Sequence, residues 1–327
     1  MTWNVFVTRR IPQAGIDILL KYCEQVDINP HDRPLTKEEI LEGVKERAGV
    51  LCLLTDTIDK EILEAAKGAK IFANYAVGFN NIDVGAATRL GIMVTNTPGI
   101  LTQATADLTW ALIFAVARRI VESDRFTRED KFKGWGPLLL LGSEVTGKTL
   151  GIVGAGRIGT AVAMRSIGFK MKLLYTDTLR NDTLEQNLKA RRVRLEELLK
   201  KSDFVSLHVP LLQETTHLIG SREMGMMKKT AYLINTCRGP VVDEKALVEA
   251  LKSGQIGGAG LDVYENEPQL EPGLIGLNNV VLLPHIGSAT VEARTKMAVM
   301  AAENLVAGLK GERPPNLVNP AVLKMSH

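Results

Sequence analysis

The sequence predicts an α/β protein built from two doubly wound units, each a parallel sheet with helices on both faces. Short, apolar, β-branched runs alternate with helical patterns along most of the chain, which is typical of a parallel sheet covered by helices. This alternation stops after residue 101 and starts again at Lys148. The length of 327 residues also favours two domains, since one domain holds roughly 150 residues.

The first unit is predicted from short apolar runs, which are typical of buried strands, separated by segments of helical periodicity. The strands are expected at Trp3–Thr8, Gly49–Leu54, Lys70–Asn74 and Ile92–Thr95. The helices include Gly15–Tyr22, Lys37–Lys45 and Lys60–Lys67. Thr36 and Glu39 have the spacing of a capping box, which predicts that the second of these helices begins there.

One long apolar helix over Thr102–Val121, followed by an irregular stretch up to Val145, is expected between the two runs of alternation. The later strands are predicted at Thr149–Val153, Met171–Thr176, Asp203–Leu207, Ala231–Asn235, Gly258–Asp262 and Val280–Leu283. The later helices include Arg157–Ile167, Leu195–Lys200, Asp243–Ser253 and Val291–Lys310. Gly311 and the following prolines end the last helix.

Composition excludes several classes of protein. The chain is 45% hydrophobic with a formal net charge of +3, and its basic residues are dispersed, which argues against a nucleic-acid partner. It has no apolar run of about 18 residues, so no membrane span is expected, and no secretory signal is visible. Cys23, Cys52 and Cys237 lack metal-ligand spacing, and their odd number fits reduced thiols. We therefore expect a cytoplasmic protein without a metal.

A glycine-rich turn is the sharpest local signal. Gly154, Gly156 and Gly159 follow an apolar strand that ends at Val153, and a helical pattern begins at Arg157. In such a turn the first glycine allows the sharp bend, the second lets the backbone approach a pyrophosphate, and the third allows helix and strand to pack. The free N–H groups of the helix would bind the pyrophosphate. This predicts a dinucleotide site.

Asp177 stands at the end of the next predicted strand. A carboxylate there can accept both ribose hydroxyls of NAD and repels the 2′-phosphate of NADP. Arg180 lies close by and leaves NADP possible, and Asp177 could instead be a solvated turn residue. NAD is the expected cofactor.

Three polar residues follow consecutive later strands, at the sheet edge where open α/β sheets bind ligands. They are Arg238, Glu267 and His285. Taken singly, they could be a surface charge, part of a solvated acidic loop and a core histidine. Together they suit hydride chemistry on a 2-keto acid, because Arg forms a planar fork for a carboxylate, His exchanges protons near neutral pH, and a carboxylate beside the His favours imidazolium.

The whole motif set resembles one enzyme family, the D-isomer-specific 2-hydroxyacid dehydrogenases, and most closely its glyoxylate/hydroxypyruvate reductase branch. The segments that carry the resemblance are Asn74–Asp83, Val94–Pro98, Ala104–Leu108, the glycine turn, Cys237–Gly239, Gly260–Val263 and Pro284–Thr290. Their order along the chain also matches the family.

The resemblance implies a discontinuous architecture. A flavodoxin-like substrate domain would comprise residues 1–98 and 288–327, with a Rossmann nucleotide-binding domain of residues 99–287 inserted in it. It also implies a homodimer, in which the irregular segment Arg125–Leu141 would be a dimer arm. Trp135 would reach a neighbouring active site or only pack at the interface, and both interpretations stay open.

The resemblance also implies a role for each matching residue. His285 would be the acid/base, Glu267 its carboxylate partner and Arg238 the substrate clamp, with backbone N–H groups at Val77 and Gly78 also holding the substrate. The implied cofactor contacts are Thr105, Gly154, Gly156, Arg157, Ile158, Gly159, Asp177, His208, Pro210, Thr236, Cys237, Asp262 and Gly287. Leu101, Trp135 and Arg294 are further candidates near the substrate.

The implied activity is NAD(P)H-dependent reduction of glyoxylate or hydroxypyruvate, which should prefer the acidic side of neutrality because His285 must be protonated. The branch often accepts NADPH through a Ser-Arg pair, but here Thr176, Asp177 and Thr178 occupy that place, so NAD(H) is favoured.

Two alternatives stay open. Phosphite dehydrogenases share the Cys237–Gly239 and Gly134–Pro137 segments, but have a Lys where Val77 stands. A non-catalytic, NAD-sensing corepressor would not require Arg238, Glu267 and His285 together.

Overall fold

The computed structural model describes residues 3–324, which divide into two compact units. The described residues up to Leu101, together with those from Ala289 onward, form the first unit, and Thr102–Ser288 form the second. The second unit is thus an insertion in the first. The predicted α/β class with two parallel sheets is confirmed.

The first unit contains a five-stranded sheet in which all neighbours run parallel. Its strands are β1 (Asn4–Val7), β2 (Gln25–Ile28), β3 (Gly49–Leu53), β4 (Ile71–Tyr75) and β5 (Met93–Thr95). Their order, β2-β1-β3-β4-β5, is the flavodoxin-like one. The helices between them are α1 (Gln13–Tyr22), α2 (Lys37–Gly43), α3 (Lys60–Ala65) and α4 (Val84–Arg89).

The second unit contains a seven-stranded parallel sheet in the order β12-β11-β10-β9-β6-β7-β8. Its strands are β6 (Thr149–Val153), β7 (Lys172–Thr176), β8 (Arg191–Arg192), β9 (Phe204–Leu207), β10 (Tyr232–Asn235), β11 (Gly258–Leu261) and β12 (Val280–Leu282). Strands β7 and β8 extend the sheet on one side of β6, and strands β9 to β12 extend it on the other side. This reversal is the switch point where Rossmann sheets bind ligands.

The helices of the second unit begin with α5 (Thr102–Ala117) and α6 (Ile120–Arg128). They continue with α7 (Arg157–Arg165), α8 (Asp182–Leu188), α9 (Leu195–Lys201), α10 (Ser221–Met226) and α11 (Glu244–Lys252). None of the helices within residues 3–324 is long and apolar enough to cross a membrane.

The last helix, α12 (Val291–Leu309), returns to the first unit and packs beside α1. The contact is close at Gly15, where an added Cβ would lie 2.7 Å from the Ala298 carbonyl oxygen. Small residues on both helices therefore allow their backbones to approach. Leu305 and Leu309 of α12 extend the apolar core on this face of the sheet.

The predicted strands are confirmed to within about two residues at each end, as is usual for boundaries. The capping box is also confirmed, since Thr36 Oγ1 accepts the Glu39 N–H and Glu39 Oε2 accepts the Thr36 N–H. Strands β2 and β8 were not predicted. β2 is only half-buried and alternates polar residues with apolar ones, while β8 is two exposed arginines.

The prediction of one helix over Thr102–Val121 is wrong. Arg119 adopts a left-handed backbone with φ 52°, which divides the segment into α5 and α6. The carbonyl of Ala117 accepts a hydrogen bond from the Ser143 N–H at 2.7 Å, so the end of α5 is capped by a distant residue. Apolar periodicity does not reveal such a cap.

Candidate active site

The glycine loop at the carboxyl end of β6 uses its glycines for different physical reasons. Gly154 has φ +91°, and an added Cβ would lie 2.7 Å from the His208 backbone. A Cβ on Gly159 would lie 2.0 Å from the Gly154 carbonyl oxygen. A Cβ on Gly156 would meet nothing within 4 Å. Gly154 and Gly159 are therefore required by the fold, whereas the space beside Gly156 is open.

The start of α7 fits a bound pyrophosphate. Gly156 is the N-cap residue and provides no side chain to cap the first N–H groups of the helix. Such groups, with the positive end of the helix dipole, favour an anion. Arg157 is exposed and Ile158 half-buried at this end of the helix. The loop can thus hold the phosphates of a dinucleotide through its backbone.

Asp177, at the end of β7, lies beside the glycine loop. Its Oδ2 accepts the Ala155 N–H at 2.6 Å, and its Oδ1 accepts the Leu179 N–H at 3.2 Å. Arg192 donates to the carbonyls of Asp177 and Thr178 at 2.8 and 2.9 Å. The predicted ribose residue is therefore next to the predicted phosphate loop.

Arg180, the residue that left NADP possible, is paired with carboxylates of the chain. Its guanidinium contacts Glu185 and lies 3.7 Å from Asp182. Its side chain is 68% exposed, so the pairs are weak. Arg180 therefore stays available to a phosphate at little cost, although Asp177 stands nearer to the glycine loop.

A buried asparagine holds the turn that carries Arg238. Asn235 Oδ1 accepts from the Cys237 N–H at 3.1 Å, and its Nδ2 donates to the Arg238 carbonyl at 2.9 Å. Burial lowers the pKa of Arg238, while the nearby Glu267 acts in the opposite direction. Burial raises the pKa of the Cys237 thiol to about 11, so the thiol stays neutral near neutral pH.

Glu267 and His285 form a direct pair. The distance from His285 Nδ1 to Glu267 Oε2 is 2.8 Å, and Glu267 Oε1 accepts the Tyr264 N–H at 3.0 Å. Burial raises the pKa of Glu267, but the hydrogen bond and charge of His285, the Tyr264 N–H and Arg238 together bring it below its ordinary value. Glu267 is therefore an ionised acceptor, which leaves Nε2 of His285 for other partners.

The loops that carry these three residues are packed directly against one another. An added Cβ on Gly239 would lie 1.8 Å from the Tyr264 carbonyl, so the Arg238 turn touches the Glu267 loop backbone to backbone. The Tyr264 hydroxyl donates to the Leu283 carbonyl at 2.8 Å, which ties the same loop to the segment before His285. The structure thus brings the predicted polar residues to one edge of the sheet.

Several predicted cofactor residues form a second cluster in this unit. Asp262 Oδ1 accepts the Ile286 N–H at 2.7 Å, and Thr105 Oγ1 donates to the Gly287 carbonyl at 3.1 Å. Burial raises the pKa of Asp262. Thr236 shares a 2.9 Å hydrogen bond with Thr109. These contacts gather four of the predicted cofactor residues near the ends of β10 and β11.

His208 and Pro210 follow β9, next to the glycine loop. His208 Nε2 lies 2.8 Å from Ser206 Oγ. Although His208 retains some accessible surface, burial of its ring lowers its pKa to about 3, so the ring is neutral. Pro210 is exposed, and its carbonyl accepts from Thr215 Oγ1. Both positions border the switch point.

The predicted substrate loop lies in the first unit, directly after β4. The carbonyls of Val77 and Gly78 accept hydrogen bonds from Asn96 Nδ2 and Asn74 Nδ2, at 2.8 and 2.9 Å. Leu101 is half-buried, and Arg294 is exposed at the start of α12. In the second unit Trp135 is 84% exposed.

Sequence reasoning gave no role to three residues that position this site. Asn235 and Gly239 hold and pack the Arg238 turn, and Glu244 Oε1 accepts the Glu265 N–H at 2.8 Å to fix the Glu267 loop. Burial raises the pKa of Glu244. A polar residue that ends an apolar strand was the available signal for Asn235. No pattern in the sequence pointed to Glu244.

The site can hold a dinucleotide through the glycine loop, Asp177 and the cluster around Asp262, and it places an acid/base pair beside an arginine. Within residues 3–324 no group of three or more His, Cys, Asp or Glu side chains could hold a metal ion. The arrangement has the components for proton transfer coupled to hydride transfer.

Comparison with known proteins points the same way. The family model described as D-isomer specific 2-hydroxyacid dehydrogenase, NAD binding domain, matches residues 110–287. A glyoxylate reductase of Korarchaeum cryptofilum is 54% identical over 98% of this chain and 97% of its own.

Solved structures agree. A protein of Thermus thermophilus has a TM-score of 0.90 at 45% identity, over 96% of this chain and 99% of that one. An NADPH-dependent glyoxylate/hydroxypyruvate reductase of Sinorhizobium meliloti, in complex with NADP and malonate, has a TM-score of 0.85 at 28% identity, over 98% of both chains.

Proposed function

The chain belongs to the D-isomer-specific 2-hydroxyacid dehydrogenase family, and on that premise we propose that it reduces glyoxylate or hydroxypyruvate to the corresponding 2-hydroxy acid with NADH. The product has the D configuration where it is chiral. The observation that carries this proposal is the pairing of His285 with Glu267 at 2.8 Å, on a loop packed against the turn of Arg238. The identity to a curated glyoxylate reductase supports the choice of substrate.

The two units have separate tasks in this proposal. The second unit binds the dinucleotide through the glycine loop, Asp177 and the residues around Asp262. The first unit holds the substrate through the loop at Val77 and Gly78. When bound, the reduced nicotinamide supplies the hydride that the keto carbon receives.

His285 supplies the proton. Glu267 holds Nδ1, which fixes the orientation of the ring and leaves Nε2 to donate to the developing alkoxide. Because the pKa of Glu267 is lowered, the carboxylate keeps its charge to a lower pH than an ordinary glutamate does, and it remains the partner of His285 Nδ1. His285 is then neutral, and a proton from solvent restores it for the next turnover.

Arg238 binds the substrate carboxylate. A guanidinium can make two parallel hydrogen bonds to a carboxylate, which fixes the plane of a 2-keto acid. The buried Asn235 holds the Arg238 backbone, so the turn that carries the fork is preorganised. Orientation of this kind lowers the entropic part of the barrier.

NAD(H) is the preferred cofactor in this proposal, with NADP(H) also accepted. Asp177 contacts the glycine loop itself, where a 2′-phosphate would meet its negative charge. The NADP complex of the Sinorhizobium enzyme shows that a relative of this fold takes the phosphorylated cofactor. In this chain Arg180 is the side chain that could offset part of the repulsion.

We also propose that the enzyme acts as a cytoplasmic homodimer. Phe132, Trp135, Leu138 and Leu141 are exposed on the segment after α6. Contiguous exposed apolar side chains are typical of an interaction surface. The three cysteines are free thiols, which suits a reducing compartment. Sedimentation of the native protein tests the dimer, and a monomer at micromolar concentration contradicts it.

The decisive experiment follows NADH oxidation with glyoxylate, hydroxypyruvate and pyruvate. We expect turnover with at least one of the first two, and we expect His285→Gln to lower kcat by about 10²–10⁴-fold without weakening NADH binding. His217→Gln is a matched control, because His217 also pairs with a glutamate, Glu265, at 2.7 Å, outside the proposed chemistry.

Two outcomes contradict the proposal. Reduction of NAD⁺ by phosphite with no keto-acid turnover would favour the phosphite dehydrogenase alternative. NADH binding without turnover of any keto acid would favour a sensor. Neither alternative is favoured by the glyoxylate reductases to which the chain is similar.

A further inference from the structure

Three consecutive carbonyl groups after β4 are each held by a donor of the first unit. The Ala76 carbonyl accepts the Thr97 N–H at 2.8 Å. The Val77 carbonyl accepts from Asn96 Nδ2 at 2.8 Å, and the Gly78 carbonyl accepts from Asn74 Nδ2 at 2.9 Å. We call residues 76–79 the pinned loop, because the carbonyls of its first three residues each have a fixed partner.

Because the peptide bond is planar, fixing the direction of a carbonyl also fixes the direction of the amide that follows it. In a trans peptide the C=O of one residue and the N–H of the next point in opposite directions. Within residues 3–324 the only cis bond precedes Pro268, so the pinned loop is trans. The N–H groups of residues 77, 78 and 79 therefore point away from the donors that hold the three carbonyls.

Those amides are not used elsewhere. In the part of the chain that the structure describes, none of the N–H groups of residues 77–79 donates to a backbone or side-chain acceptor of the protein. Backbone amides of a turn that have no acceptor in the protein can bind an anion. The loop is half-buried at Val77 and Gly78 and exposed at Phe79, so an anion in solution can reach it.

The two asparagines are themselves held rigidly. Asn74 is fully buried, and its Nδ2 also lies 3.1 Å from Asn81 Oδ1. Asn81 in turn donates to the carbonyls of Leu53 and Asp56. The carbonyl of Asn96 accepts from Asn304 of α12 at 3.2 Å. Asn74 is therefore fixed within strand β4, and Asn96 is fixed by its contact with the last helix.

We propose that Asn74 and Asn96 are positioning residues that set the affinity of the pinned loop for the substrate carboxylate. Neither side chain contacts substrate in this scheme. Each acts by fixing a carbonyl and, through the peptide plane, the amide that follows it. This inference rests on the proposed function, since it takes the carboxylate of a 2-keto acid as the anion.

Asn96→Ala is the first test. One released carbonyl frees one amide to rotate, so KM for glyoxylate should rise about five- to tenfold, as expected for loss of one oriented hydrogen bond to a charged group. kcat should fall less than KM rises, and the Kd of NADH should not change. Asn74→Ala should give the same pattern with a lower Tm, because Asn74 is buried.

Asn29→Ala is the matched control. Asn29 is a buried asparagine of the same unit whose Nδ2 donates to the Thr8 carbonyl at 2.9 Å, outside the pinned loop. Its loss should lower Tm and leave KM for glyoxylate unchanged. A KM that rises equally in Asn29→Ala and Asn96→Ala, or stays at the wild-type value in Asn96→Ala, overturns the proposal.

A binding measurement separates this inference from the proposed activity. The Kd of oxalate, an unreactive dicarboxylate, is measured on the enzyme saturated with NADH by the change in NADH fluorescence. A wild-type protein that turns over neither glyoxylate nor hydroxypyruvate contradicts the proposed function alone. A five- to tenfold weaker oxalate Kd in Asn96→Ala still supports the pinned loop, and an unchanged Kd overturns it.

Discussion

Two loops, one in each unit, follow an interior strand of a parallel sheet. We propose an anion site at each, but the two loops are shaped by different means. The glycine loop after β6 obtains its path from glycines, with φ +91° at Gly154 and a close approach at Gly159. The pinned loop after β4 obtains its path from the side-chain amides of Asn74 and Asn96. The path of the glycine loop thus depends on the absence of side chains, whereas the path of the pinned loop depends on two side chains that are present.

The two loops are sensitive to opposite kinds of substitution. A glycine loop fails when a side chain is added, because a Cβ collides with backbone that cannot move. A pinned loop fails when a side chain is removed, because a carbonyl and its following amide become free to rotate. Substitutions can therefore test each means separately.

The largest effect is expected from Gly159→Ala. Its Cβ would lie 2.0 Å from the Gly154 carbonyl oxygen, so the loop must shift and the amides at the start of α7 move with it. Overpacking of this kind costs about 1–3 kcal/mol. We expect a lower Tm and a Kd for NADH at least about 100-fold weaker, measured by fluorescence titration.

Gly168→Ala is the control for that change, since its added Cβ would meet nothing within 4 Å. It should keep both Tm and NADH affinity. If Gly159→Ala also binds NADH as the wild type does, the loop is not shaped by its glycines.

Gly156→Ala should have a smaller and more selective effect. An added Cβ meets no atom of the protein within 4 Å, so Tm should not change. The methyl group would instead occupy the space into which the pyrophosphate must come, and we expect the Kd of NADH to weaken about tenfold. Unchanged NADH affinity would show that the phosphates do not approach this residue.

Asp177→Asn tests the edge of the glycine loop, where the Asp177 side chain accepts the Ala155 N–H. Removing its charge while keeping its shape should lessen repulsion of a 2′-phosphate. We expect the ratio of kcat/KM for NADPH to that for NADH to rise about tenfold. An unchanged ratio would remove Asp177 from cofactor discrimination. Asp17→Asn, at an exposed aspartate of α1 in the first unit, is the control.

The last prediction concerns acid stability and no ligand. Burial lowers the pKa of His208 from an ordinary value of 6.5 to about 3. Between these values the unfolded chain binds a proton that the folded chain does not, so the free energy of unfolding falls as pH drops from about 6.5 to 3. His208→Gln removes this contribution, and its Tm should fall less steeply over that range. An identical slope in both proteins contradicts the assignment.

The two parallel sheets and the glycine turn could be predicted from the sequence because both produce regular patterns of residues. Alternating strands and helices indicated the class, and the glycine spacing located the turn after β6. The polar residues Arg238, Glu267 and His285 were found because each follows the end of a strand.

The contacts between distant segments could not be predicted in the same way. The break at Arg119 depends on a hydrogen bond from Ser143 to Ala117, which no local period encodes. The half-exposed strand β2 has too little apolar character to stand out. Three positioning residues hold backbone groups of other residues: Asn74, Asn96 and Glu244. A sequence gives the type of each side chain but not which distant backbone carbonyl or amide it will contact.

The pinned loop has a consequence for charge selectivity. Each carbonyl oxygen of residues 76–78 already accepts a hydrogen bond from the protein, so the groups of the loop that lack a partner in the described structure are N–H donors, which favour an anion over a cation. Its preference for anions depends on no ionisable side chain. A site of this kind keeps the same polarity at every pH, and it adds nothing to the net charge of +3.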